Sequence, residues 1–204
     1  NPLLIVKMLS NPKCLSNYSG IIYAKWCCFV FIFLNLNFIM AQGYETQSYD
    51  VIQTFSEGEI RFYPSVMKVK TNNKGGFSSL FKYISGNNSE QQKIAMTTPV
   101  HRDKNGGSET MEFVLPKQFD LENTPLPTSN NVEVYQSKAG YFAAFKFSGY
   151  TNTKKEQMII EKGKKILAEN NISFTGSPVV LIYNSPYTIF NRKNEILFAI
   201  KFSK

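Results

Sequence analysis

Two stretches of this chain place apolar residues at helical spacing, and the residues around both alternate. In the first stretch Phe77, Leu80, Phe81 and Ile84 fall at i, i+3, i+4 and i+7, one stripe of an α-helix. Asn72-Asn73 can cap it, and Gly86-Asn87 stops it. In the second, running from Thr153 to about Asn170, Met158, Ile159, Gly163, Ile166 and Leu167 share one side. Lys154, Lys155, Glu161, Lys164 and Lys165 share the other, and Thr153 with Glu156 spells a capping box. Neither helix can bury its stripe alone, so the alternating segments must supply a sheet for both.

Those segments read as about eight mostly antiparallel strands. Residues 48–55, 59–63 and 66–71 precede the first helix, and 93–102 and 110–115 follow it as a hairpin around Asn105-Gly106-Gly107. Residues 116–131 hold three prolines and read as the longest loop. Beyond it come 132–137, 141–148, the second helix, 179–183 and 194–202. Each half therefore reads strand, helix, strand, strand. The expected class is α+β: a distorted antiparallel barrel or curved sheet with two helices and a pseudo-twofold βαββ repeat.

At 204 residues, 43% of them hydrophobic, the chain has enough apolar surface for one sizeable core. Residues 26–41 are uncharged, follow Lys25, and are too short and too interrupted by Asn35 and Asn37 to span a bilayer. A short apolar run ending at Ala41 matches a signal peptide cleaved before Gln42, and residues 1–7, ahead of Met8, read as translated upstream sequence. The expectation is a secreted or periplasmic protein, monomeric, with no stable membrane insertion once the leader is removed. All three cysteines (Cys14, Cys27, Cys28) lie in that leader, so the body offers no thiolate for a metal, a disulfide or a nucleophile. The body carries 20 basic and 15 acidic residues, and its lysines are scattered. That suits an anionic ligand or membrane better than nucleic acid, which needs a clustered stripe.

The most distinctive wording is Lys93-Ile94-Ala95-Met96-Thr97-Thr98-Pro99-Val100, read as a strand that stops pairing at Pro99. Together with Glu59-Ile60-Arg61-Phe62-Tyr63-Pro64, Phe147-Ser148-Gly149-Tyr150 and Arg192-Lys193-Asn194-Glu195-Ile196, in that family's order, it resembles the SOUL haem-binding family over roughly residues 44–202. The resemblance implies a pseudo-twofold fold related to the effector-binding domains of bacterial multidrug regulators. It implies haem or another tetrapyrrole as partner, held along the first helix by apolar contacts and a basic residue. Aligned on Lys82–Gly86, the implied contact positions are Lys74, Phe77, Phe81 and Lys82. The family often has methionine or aliphatic residues where these phenylalanines stand, and arginine at the place of Lys74.

Each of these residues has a plainer reading beside it. Phe77 and Phe81 stand where any packed helix is apolar, and Met96 is either a weak thioether ligand to iron or core filler. His101, the only histidine, is either an axial ligand or an exposed strand-end residue. Tyr63, Tyr135, Tyr150, Tyr183 and Tyr187 can line a cavity, and Arg192 and Glu195 read as a structural pair. No Gly-x-Ser-x-Gly, His-Glu-x-x-His, P-loop or Gly-x-Gly-x-x-Gly motif occurs. Glu112 or Glu133 in a barrel interior would be the general base of an alternative reading, a hydrolase or ligand sensor. A protein-interaction module is the third.

Overall fold

The structure is a computed structural model and describes residues 43–55, 57–71, 76–105 and 108–202. The leader, the Asn72-Asn73 cap, the Gly106-Gly107 turn and Lys74 lie outside the described residues. In chain order the elements are β1 (Glu45–Thr46), β2 (Asp50–Phe55), β3 (Gly58–Tyr63), β4 (Met67–Thr71), α1 (Gly76–Ile84), β5 (Thr97–Thr98) and β6 (Val100–Asn105). Then follow β7 (Ser108–Val114), β8 (Glu133–Gln136), β9 (Gly140–Ser148), α2 (Thr153–Glu169), β10 (Phe174–Ile182) and β11 (Lys193–Ile200).

Among the described residues, nine of the eleven strands form one antiparallel sheet in the order β2-β3-β9-β11-β10-β6-β7-β4-β8. The other two, β1 and β5, pair in parallel. The repeat expected from the sequence is explicit in that order. In β4-α1-β6-β7 the third strand lies between the first two, and β9-α2-β10-β11 does the same, with β6 and β10 joining the units. The strands ahead of each unit are exchanged: β3 pairs with β9 of the second unit, and β8 pairs with β4 of the first.

That exchange forces the sheet to curl. β3 and β4 stand six strand spacings apart in the order, about 29 Å across a flat sheet, yet a three-residue link, 64–66, joins them. Such a link reaches roughly 14 Å. Link 137–139 between β8 and β9 imposes the same closure, and the two links are tied together. Ser65 Oγ donates to the Ser137 carbonyl at 2.7 Å, and Val66 N donates to Ser137 Oγ at 3.1 Å. The edges β2 and β8 share no ladder, so the sheet is curved and open rather than a closed barrel.

Both helices cover the convex face. Leu80, Tyr83 and Ile84 of α1 pack on Met67, Val69 and Phe113, while Ile166 and Leu167 of α2 pack on Phe145, Ile196 and Phe198. Gly163 lets α2 sit close, since a Cβ there would lie 2.8 Å from Phe198 Cε2 and 3.1 Å from Phe145. Along β11 the even-numbered Ile196 and Phe198 face α2 while Glu195 and Leu197 face the concave side, and both sets are buried.

Several local expectations change. The cap of α2 is Asn152, whose side chain accepts from Lys155 N at 2.9 Å, rather than a Thr153 capping box. Glu156 is instead buried against Arg102. Met158, expected on the buried side, is exposed. Residues 93–96 form no strand, and pairing continues past Pro99 in β6 instead of stopping there. Asn88 holds the loop ahead of that stretch: its amide donates to Tyr83 O and Gln92 O, and its oxygen accepts from Glu90 N and Gln92 N, while Ile94 N donates to Ile84 O at 2.8 Å.

Candidate functional site

Helix α1 divides its apolar stripe between two surroundings. Leu80 and Ile84 turn into the core, but Phe77 and Phe81, one turn apart, remain 44% and 50% exposed. Their rings are within 12° of parallel with centroids 5.9 Å apart, and Phe77 meets the buried Phe113 edge-on at 5.3 Å. Beside them opens a groove of about 490 Å³ with a predominantly apolar lining, within the usual size range of small-molecule sites. Met96, Val100 and Met111 contribute to it from the convex face of the first unit, and Ile182, Tyr183 and Pro186 from β10 and the loop after it. Two large aromatic side chains left half in water next to a hollow mark a surface built to be covered.

Arg192 builds the wall opposite α1. Its guanidinium donates to the carbonyls of Ser185 and Thr188, both at 2.8 Å, and lies 4.3 Å over the ring of Tyr150, another groove residue. It does not pair with Glu195 as the sequence suggested. Glu195 faces the concave side and takes a bidentate pair from Arg61 (2.8 and 3.0 Å), both side chains being fully buried. The Tyr183 hydroxyl donates to Glu195 at 2.7 Å, and Tyr63 and the Tyr49 ring also contact Arg61. Burial works to raise the Glu195 pKa, but hydrogen bonds from Arg61 and Tyr183 hold it below the ordinary value. Burial and the neighbouring Glu195 charge push Tyr183 far above a normal phenol, and burial pushes Tyr63 up to about 12. A Tyr183 phenolate is therefore not on offer to the groove.

The other positions singled out from the sequence fall in different places. Met96 joins Phe77 and Phe81 in the groove. Lys82 is exposed in the last turn of α1, where its charge suits the helix dipole, but it is not a lining residue. His101 is buried rather than exposed, and it points to the concave face, away from the groove, among residues of both units such as Lys68, Glu112, Val179 and Leu197. Lys68 Nζ, which can only donate, lies 3.2 Å from His101 Nδ1, so Nε2 carries the proton toward Gln47 Oε1 at 3.0 Å. Burial and the Lys68 charge lower the His101 pKa well below 6.5. Both ring nitrogens are thus engaged.

The concave cavity around His101 is about 100 Å³, small for an organic ligand. Glu112 accepts from Lys68 (3.0 Å) and from the Tyr135 hydroxyl (2.9 Å), and Glu133 is ion-paired with Lys70 at 3.1 Å. Tyr187 stands in solvent. Among the described residues no group of three or more His, Cys, Asp and Glu could hold a metal ion, and no helix is long and apolar enough to cross a membrane. Sequence reasoning missed Tyr44, Met111 and Arg192 as groove residues. Met111 shares the face of Phe113 by simple alternation, a signal that was available; Tyr44 gave none.

In solved structures the fold is similar to a hydrolase from Listeria innocua (TM-score 0.53, 9% identity, 74% of this chain and 94% of that one). It is also similar to the EcmrR C-terminal domain (TM-score 0.50, 12% identity, 74% and 100%). At such identities these likenesses speak for the fold alone. Human Heme-binding protein 2 is 30% identical over 131 residues, 59% of this chain, and the match spans 62% of that relative's length. The model of the SOUL heme-binding protein family matches residues 44–199, which takes in all four sequence blocks and every described element but the last residue of β11. The chain belongs to the SOUL heme-binding protein family.

Proposed function

We propose that this protein binds haem or a similar tetrapyrrole reversibly in the groove beside α1, as an exported, monomeric, non-catalytic carrier or buffer. The supporting observation is the parallel, half-exposed pair Phe77 and Phe81 on the flank of a hollow of about 490 Å³. Flat aromatic faces and the Met96 and Met111 thioethers suit a planar apolar macrocycle. Arg192 within the groove and Lys82 nearby supply cations for carboxylates at its edge. Haem bound there would add an iron centre; the chain's own part is contact area and charge. With His101 facing the other way, the thioethers are the nearest soft donors, which fits weak, exchangeable binding. Export rests on the leader's composition, and a mature N-terminus at Gln42 would support it. The hydrolase or sensor reading would have to work within the concave cavity of about 100 Å³.

The test is a haemin titration of the full chain followed in the Soret band. Saturable binding is expected, weakened at least tenfold by Phe77→Ala with Phe81→Ala and unchanged by His101→Gln. A flat response at micromolar protein ends the proposal.

A further inference from the structure

The loop between β10 and β11 holds three large apolar side chains in water: Tyr187, Ile189 and Phe190 are 91%, 69% and 80% exposed. Single exposed hydrophobics are ordinary, but three within four residues on one tip are not. The backbone here is held in place. Thr188 N donates to Ser185 O at 3.0 Å, and the buried Arg192 donates to the carbonyls of both Ser185 and Thr188. The polar atoms are turned inward onto Arg192 and the apolar side chains outward.

Around the base of the loop the charge has one sign. Lys193 stands opposite Ser148 in the β9–β11 register, the Ser148 carbonyl accepts Lys155 Nζ, and Lys154 beside it is exposed. Residues 147–155 and 183–194 contain no Asp or Glu. The acids that follow each segment, Glu156 and Glu195, are buried and paired with Arg102 and Arg61. Lys193 also lies 3.6 Å from Glu195, whose charge Arg61 already balances, and stays partly exposed.

An aromatic tip above a basic collar is the composition of a membrane-interface anchor. We propose that this loop docks the protein peripherally on an anionic lipid bilayer. Tyr187, Ile189 and Phe190 enter the headgroup layer, and Lys154, Lys155 and Lys193 meet the lipid phosphates. A second copy of the chain would oppose one positive collar with another, whereas anionic lipid supplies the missing sign. Docking is independent of what the groove holds, although Ser185, Pro186 and Arg192 belong to both features.

The loop can be read directly in the full chain by making residue 190 the sole tryptophan, with Phe190→Trp in a Trp26→Phe background. Vesicles of phosphatidylglycerol should shift its emission to the blue, and brominated acyl chains should quench it; phosphatidylcholine vesicles should do neither. Lys154→Gln should lower the apparent affinity for anionic vesicles about fivefold, and Ile189→Ser should lower it further. Emission that ignores anionic vesicles overturns the proposal, including the case in which the tip serves a protein partner. Equal quenching of Leu121→Trp in the same background also overturns it, because the leader would then be carrying the whole protein to the surface.

Discussion

The two βαββ units share one topology and differ in how tightly they are filled. In the second unit Gly163 brings α2 against Phe145 and Phe198, and the concave side is locked by the fully buried Arg61–Glu195 pair. In the first unit α1 leaves Phe77 and Phe81 half in water, and its concave side carries Lys68–Glu112, a pair still partly reached by solvent. One unit is a fastened structural block, and its counterpart keeps an open surface. A repeated fold can thus be filled tightly in one copy and left more open in the other by changing a few side chains at equivalent places.

Three measurements would break or sharpen that contrast. The largest effect is expected from Arg61→Met, which strands a buried carboxylate and should cost about 3–5 kcal/mol in urea unfolding. The counterpart Lys68→Met should cost about 1–2 kcal/mol, because Glu112 can regain water. Equal losses would erase the distinction between the units. Next is Gly163→Val, where overpacking against Phe198 and Phe145 should cost about 1–3 kcal/mol. Phe81→Ser on the exposed flank of α1 should stay within about 0.5 kcal/mol.

The last measurement concerns His101 and pH. The unfolded chain, with an imidazole pKa near 6.5, takes up a proton that the folded chain refuses, because burial and Lys68 depress the folded value. Stability should therefore be complete above about pH 6.5 and fall below it by at most about 1.4 kcal/mol per pH unit. Glu195 and Glu59, both lowered in the fold, contribute stability that is lost only at more acid pH, below the ordinary carboxylate range near 4.5. His101→Gln should flatten the slope between pH 6.5 and 5, and an unchanged slope there would mean that His101 is not the group responsible.

Much of the architecture was legible in the sequence, because 3.6-residue and two-residue periods report element type directly. Both helices, the hairpin β6–β7 and the doubled βαββ order follow from them. Alternation cannot say which face is inside, and here both faces are covered. Nothing in the pattern therefore marks Arg61 and Glu195 as the most deeply buried ions of the sheet. The exchange of β3 and β8 and the parallel β1–β5 pair rest on contacts far apart in sequence that no local pattern records. Phe77 and Phe81 looked like core for the same reason that Leu80 is core: spacing marks a stripe, and only the neighbours decide how much of it is covered. Arg192 was visible as part of a block, but its role depends on the loop folding back over it.

The crossed links at 64–66 and 137–139 bear on how this protein can be divided. A single cut in the long connection at 116–131 would yield fragments that each lack a strand the other carries. Neither piece could complete its own sheet, so the nicked molecule should stay associated and lose its order in one step. The two look-alike units are interlocked, and they survive or unfold together.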